Sequence, residues 1–103
     1  MWHYPAHMDV NSHSELSPLA RAFAAELRAE RAAVGLTQVE LAKRAGLSRS
    51  TLVRLEDEAR QMNSDQMWQL CRALGVSIAD FATRAESRLL KAEALERREV
   101  AGE

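Results

Sequence analysis

An all-α fold of five helices is what this chain of 103 residues predicts, and three observations carry that expectation. Thr37 and Glu40 stand in the T-x-x-E spacing of a capping box. With Gly46 and Ser48 downstream, residues 38–56 read as two short helices joined by a tight glycine turn. Met67, Leu70, Cys71 and Leu74 recur at i, i+3, i+4 and i+7, the apolar face of a further helix. Ser17-Pro18 is an N-cap followed by proline at the first helical position, where its missing N–H costs nothing.

The elements follow in order. Residues 1–16 mix His3, Tyr4, Pro5, His7, Asn11, Ser12, His13 and Ser14 without periodicity and read as a flexible N-terminal arm. Its three histidines lack a cysteine or carboxylate at ligand spacing, so no metal and no cofactor is expected. The first helix runs from Pro18 to Val34-Gly35 with Leu19, Phe23 and Leu27 on one face. A second helix spans 38–45. Gly46 then takes the left-handed conformation that closes a helix without a Cβ clash, and Ser48 caps a third helix immediately afterwards. Ala42 and Ala45 are small where the two backbones must approach, and Leu47, Leu52 and Leu55 fill the angle between them. Arg49, Ser50, Val53 and Arg54 are left over on the third helix and form an exposed face of donors with one methyl-bearing surface.

The fourth helix should run from Ser64 or Asp65 to Leu74 and end at Gly75. Trp68 falls beside its core stripe, and an exposed indole calls for a cover: the fifth helix of the same chain or a dimer interface. The fifth helix starts after Ser77 with Ile78, Phe81, Ala82 and Ala85, and its pattern continues through Leu89, Ala92 and Leu95. Charged residues flank this stripe, the layout of an amphipathic helix seeking a partner. Phe81, Leu89, Leu95 and Trp68 are therefore the candidate dimer or partner contacts.

Composition narrows the function. The chain holds one domain, and a single cysteine, Cys71, permits no internal disulfide. No apolar run is long enough for a membrane span or a signal-peptide core, so a cytoplasmic protein is expected, associated with the nucleoid if it binds DNA. The formal net charge is −1, yet between Arg21 and Arg60 eight basic residues face six acidic ones. Any polyanion would thus meet a local positive face, to which Arg28 could contribute a phosphate contact. An enzyme is disfavoured: there is no Gly-rich phosphate loop, no serine–histidine–acid set on ordered elements and no paired carboxylates in an apolar setting.

From about Leu27 to Phe81 the chain resembles the DNA-binding domain of the phage repressor and Cro superfamily, also called the xenobiotic-response-element family. The matching pieces are Leu27-Arg28-x-x-Arg31-x-x-x-Gly35-Leu36-Thr37-Gln38, then Ala42, Gly46 and Leu47 at the turn, then Leu70-x-x-Ala73-Leu74-Gly75-Val76-Ser77. Two departures stand out. Asp57-Glu58 replaces the Asn-Gly that often ends the recognition helix, and Asn63-Ser64 replaces the proline that commonly opens the next one. The resemblance implies a lambda-repressor-like five-helix domain with an extended C-terminal helix. The expected organisation is an arm over 1–16, a helix-turn-helix domain over 17–83 and an amphipathic segment for dimerisation or a partner over 84–103.

It also implies roles. Arg49 would read a base, since a guanidinium can bond the O6 and N7 of guanine together; Ser50 and Arg54 would assist, and Val53 would meet a thymine methyl. Gln38, Lys43, Thr51 and Asn63 would hold phosphates. Arg31 and Glu56 occupy positions that form a partly buried ion pair in similar proteins. The function implied is sequence-specific binding of double-stranded DNA by a homodimer on a palindromic operator, as a transcriptional repressor. The alternative is the antitoxin of a toxin–antitoxin pair, autoregulating its promoter and binding a toxin through the C-terminal helix.

Overall fold

The computed structural model describes residues 16–58 and 60–102, so the proposed arm and its histidines lie outside the described residues, Leu16 apart. Five helices follow one another: α1 (Pro18–Val34), α2 (Gln38–Ala45), α3 (Arg49–Glu56), α4 (Ser64–Leu74) and α5 (Ile78–Ala101).

Each helix begins at a residue chosen by hydrogen-bond chemistry. Ser17 Oγ accepts from the Ala20 amide at 3.1 Å, and Pro18 occupies the first helical position. Thr37 and Glu40 form the expected capping box. A second box forms at α4, where Asn63 Oδ1 accepts from the Gln66 amide at 2.7 Å and Gln66 Oε1 accepts from the Asn63 amide at 3.0 Å. This explains the missing proline: Asn63 opens α4 by capping. Between α2 and α3, Gly46 takes φ 71° and its Leu47 neighbour donates back to the Ala42 carbonyl at 2.9 Å, which makes the turn rigid and short.

The core joins all five helices around Leu27, Leu41, Leu52, Leu55, Leu70 and Phe81, each at most 1% exposed. Ala42 and Ala45 are buried where α2 and α3 approach, in line with the need for small residues there. On α1 the buried face differs from the expected one. Leu27 is central and Phe23 half-buried, but Leu19 is 46% exposed and Ala20 and Ala24 take the inward positions. Alanines admit close neighbours there, while α5 lies along the adjoining face of α1, at Phe23, Glu26 and Glu30.

Phe81 corrects the reading of α5. Its stripe groups it with dimer or partner contacts, yet it is fully buried and its ring lies 5.6 Å from that of Phe23, centroid to centroid. The turn at Gly75-Val76-Ser77 is so short that the first turns of α5 fall directly onto the core. Ala85 is buried too, Arg84 bonds Glu30 at 2.6 Å and Arg88 bonds Glu26 at 2.8 Å. The helix thus runs unbroken across the boundary expected at residue 83. Farther on, Leu90, Leu95 and Val100 are exposed by 54%, 59% and 74%.

Candidate nucleic-acid interface

The helix pair α2–α3 builds the site. On α3, Leu52, Leu55 and Glu56 point into the protein while Arg49, Ser50 and Arg54 are exposed and Val53 is half-buried. That division follows from helical periodicity: the residues that anchor α3 and those it displays occupy opposite sides. Two guanidinium groups, a hydroxyl and a partly covered isopropyl group therefore share one outward face. Arginine supplies fixed paired donors for a base edge or a phosphate, and the hydroxyl can donate or accept.

The start of α3 is a hydroxyl network. Ser48 Oγ accepts from the Thr51 amide at 3.1 Å, donates to Thr51 Oγ1 at 2.9 Å and lies 3.3 Å from Ser50 Oγ. Because Thr51 Oγ1 accepts from Ser48, its own proton is directed elsewhere, as a phosphate donor would need. Lys43 is exposed on α2. Asn63 spends its carbonyl oxygen on the α4 cap, which leaves its side-chain NH2 as the donor it could offer.

Glu56 holds the frame. Arg31 Nε and Nη2 reach its two carboxylate oxygens at 2.6 and 3.0 Å, a paired geometry that fixes orientation as well as charge. The hydrogen bond that it donates to Glu56 holds the Arg31 guanidinium above its usual pKa. Arg31 Nη1 also donates to the Leu36 carbonyl at 3.0 Å, pinning the α1–α2 loop. Arg28 Nη1 donates to the main-chain carbonyl of Glu56. This arginine is a phosphate candidate by sequence, and in the structure it caps the C-terminus of α3. Its spacing of three from Arg31 on α1 was the signal that both share a face. Gln38, expected at a phosphate, also donates through Nε2 to Glu56 Oε1 at 3.0 Å. No spacing rule links positions so far apart in sequence.

Other chemistry has less support. Among the described residues no group of three or more His, Cys, Asp or Glu side chains could hold a metal ion. Cys71 is buried in the core, and desolvation pushes its thiol up to about 11, so it is un-ionised at neutral pH. Trp68 is 53% exposed, with the Arg72 guanidinium 5.4 Å from its ring centroid, so the fifth helix does not bury it. Among the described residues no helix is long and apolar enough to cross a membrane.

Two short helices locked at a glycine turn, the second displaying arginines from a rigid base, define a helix-turn-helix protein. The chain belongs to the helix-turn-helix family of the Cro/repressor type: the model of the family HTH_3, Helix-turn-helix, matches residues 27–81. Among solved structures, the clp gene regulator ClgR from Corynebacterium glutamicum is 32% identical with a TM-score of 0.75, covering 81% of this chain and 88% of that one. The restriction-modification controller protein C.AhdI from Aeromonas hydrophila is 30% identical with a TM-score of 0.59, covering 64% and 98%. A point mutant of the controller protein C.Esp1396I, solved bound to its highest affinity operator site, shares the fold at 23% identity and a TM-score of 0.69, covering 73% and 99%. Among curated proteins, no sequence matches.

Proposed function

We propose that this protein is a sequence-specific, double-stranded-DNA-binding regulator of transcription, a repressor that acts as a homodimer on a palindromic operator. One observation carries the reading: α3 displays Arg49, Ser50 and Arg54 outward while Leu52, Leu55 and Glu56 anchor its other side. The family membership supports it, as do relatives described as a gene regulator and as controller proteins. In this reading α3 of each subunit lies in the major groove, at half-sites one helical turn or ~34 Å apart. Arg49, the first residue after the Ser48 cap, reads a base with help from Ser50 and Arg54, and Val53 meets a thymine methyl. Gln38, Lys43, Thr51 and the side-chain NH2 of Asn63 hold the backbone and set the register. Repression follows from occupancy of the operator. The homodimer is supported by the exposed leucines at the far end of α5, which a second copy would cover.

Selection of bound fragments from a random DNA pool tests the reading and yields the operator. The expected product is a palindrome. Arg49→Ala should then cost ~1–3 kcal/mol and flatten the preference at one base pair per half-site, while Lys43→Ala should weaken all sequences alike and reduce the salt slope by about 1. A wild-type protein that enriches no sequence at physiological salt rejects the function. An Arg49→Ala protein that ranks operator variants as the wild type does rejects that residue as a base reader.

A further inference from the structure

Glu56 does more than an ion pair requires. Its carboxylate is 2% exposed and accepts three hydrogen bonds, two from Arg31 and one from Gln38. These partners come from different elements: Arg31 from the last turn of α1, Gln38 from the first residue of α2, and Glu56 itself from the last residue of α3. The pairing with Arg31 would fix α1 against α3 without help. The bond from Gln38 adds a constraint of another kind.

A carboxylate accepts and never donates while ionised, so Gln38 must turn the nitrogen end of its amide inward. The side chain is thereby held against the half-turn flip that would exchange its oxygen and nitrogen. One Nε2 proton is spent on Glu56. The second Nε2 proton and Oε1 have no intramolecular partner among the described residues, and the side chain is half-buried at the outer start of α2. A glutamine at an exposed helix end would otherwise have to surrender rotamer freedom each time it bound a ligand. This one has surrendered it in the folded protein.

We propose that Glu56 is a positioning residue for DNA binding: by locking the side-chain amide of Gln38, it presents the second Nε2 proton to a backbone phosphate in a geometry set before DNA arrives. The inference rests on α2 and α3 forming the DNA-facing pair. It makes the same buried carboxylate responsible for the angle of the recognition helix and for the phosphate contact that sets its register.

The test uses the operator selected by the full-length wild type and measures affinity for Gln38→Ala, Glu56→Gln and the double variant. Glu56→Gln keeps the shape of the side chain but gives it an amide that lets Gln38 flip. Gln38→Ala should weaken binding about tenfold, as expected for a lost hydrogen bond to a charged group. Glu56→Gln should weaken it by a similar factor, and the double variant should be no weaker than either, because both remove one interaction. Glu56→Gln binding within twofold of the wild type, or Gln38→Ala costing its full tenfold again in the Glu56→Gln background, overturns the proposal.

A second measurement needs no variant. The Gln38 side-chain NH2 of the free wild-type protein should have a 15N order parameter near the rigid-backbone level of ~0.85, and a value below ~0.6 overturns the locking even if Glu56→Gln does not fold. A wild type that selects no operator removes the DNA reading, and this proposal with it. Locked Gln38 with additive affinities removes the proposal alone.

Discussion

Arg31 and Glu56 are joined at 2.6 Å but meet solvent unequally, the arginine side chain 23% exposed and the glutamate 2%. Breaking the pair therefore depends on which partner is left. Arg31→Ala leaves a buried carboxylate without its counter-charge and with only the Gln38 hydrogen bond, for which the cost reaches ~3–5 kcal/mol, whereas Glu56→Gln leaves a partly wet guanidinium that water can serve. At ~0.05–0.15 kcal/mol per residue the first loss would bring so small a domain close to unfolding. Urea denaturation should show Arg31→Ala as the more damaging change. Equal midpoints for the two variants would contradict the asymmetry.

Glu58 is the one non-glycine residue with positive φ among those described, at 62°. The resemblance puts an Asn-Gly or similar turn at this point in the family, and here a glutamate takes the left-handed conformation that glycine adopts freely. An L-residue in that region costs ~1–2 kcal/mol, partly offset in a glycine variant by the greater freedom of the unfolded chain. Glu58→Gly should stabilise the protein by about 1 kcal/mol and raise Tm by ~4–8 °C. A thermal melt with an unchanged or lower midpoint would show that the strain is relieved elsewhere.

The residues explain which parts of this architecture were legible. Caps are local: Ser17, Thr37, Ser48 and Ser77 each bond an amide three residues on, and side-chain chemistry alone announces them; Asn63 caps α4 in the same way, but its reading as a phosphate contact and a departure from the usual proline hid that role. The turn at Gly46 and the outward face of α3 are likewise products of short-range periodicity. Pairings across the fold are not. Arg28 on the Glu56 carbonyl and Gln38 on the Glu56 carboxylate join residues 28 and 18 positions apart, and nothing in either segment requires the other. The reading of Phe81 failed for a related reason. An apolar stripe says that a helix has a face to bury, not against which surface, and here the core beside Phe23 of α1 takes it.

Glu26 and Glu30 should give the protein an unusual response to acid. Burial, and then the neighbouring Glu30 carboxyl, push Glu26 above its ordinary value of 4.5 against the opposing pull of Arg88. The bond from Glu26 and the arginine Arg84 hold Glu30 below that value. A raised carboxyl stabilises the fold below its unfolded pKa, and that contribution is lost as pH rises through the folded value; Glu30 behaves oppositely, losing its contribution as pH falls. Glu26→Gln keeps an oxygen for Arg88 and supplies an N–H for Glu30 without titrating. Relative to the wild type, this variant should therefore gain unfolding free energy between pH 4 and pH 7. A difference that stays flat across that range would mean Glu26 ionises as an ordinary surface carboxylate does.

The far end of α5 poses the last test, and the fold dictates where to cut. Truncation after Thr83 would remove Ala85, which is buried, and both arginines that bind α1; it should damage the domain itself and so report nothing about assembly. Truncation after Ala92 keeps those contacts and removes Leu95 and Val100, exposed by 59% and 74%. The nine residues from Glu93 to Ala101 are about 14 Å of helix at 1.5 Å each. Their leucine and valine surface is worth ~25 cal/mol per Å² to whatever covers it. If that cover is a second copy, sedimentation equilibrium at micromolar concentration should find the full chain dimeric and the 1–92 chain monomeric, with helical circular dichroism from α1 to α4 preserved. Operator affinity should fall with the dimer, because two recognition helices on one duplex reinforce each other only while they are linked. A 1–92 chain as dimeric as the full protein would move the interface to the exposed Trp68 on α4, and Trp68→Ala in that background would then be the change that yields monomers.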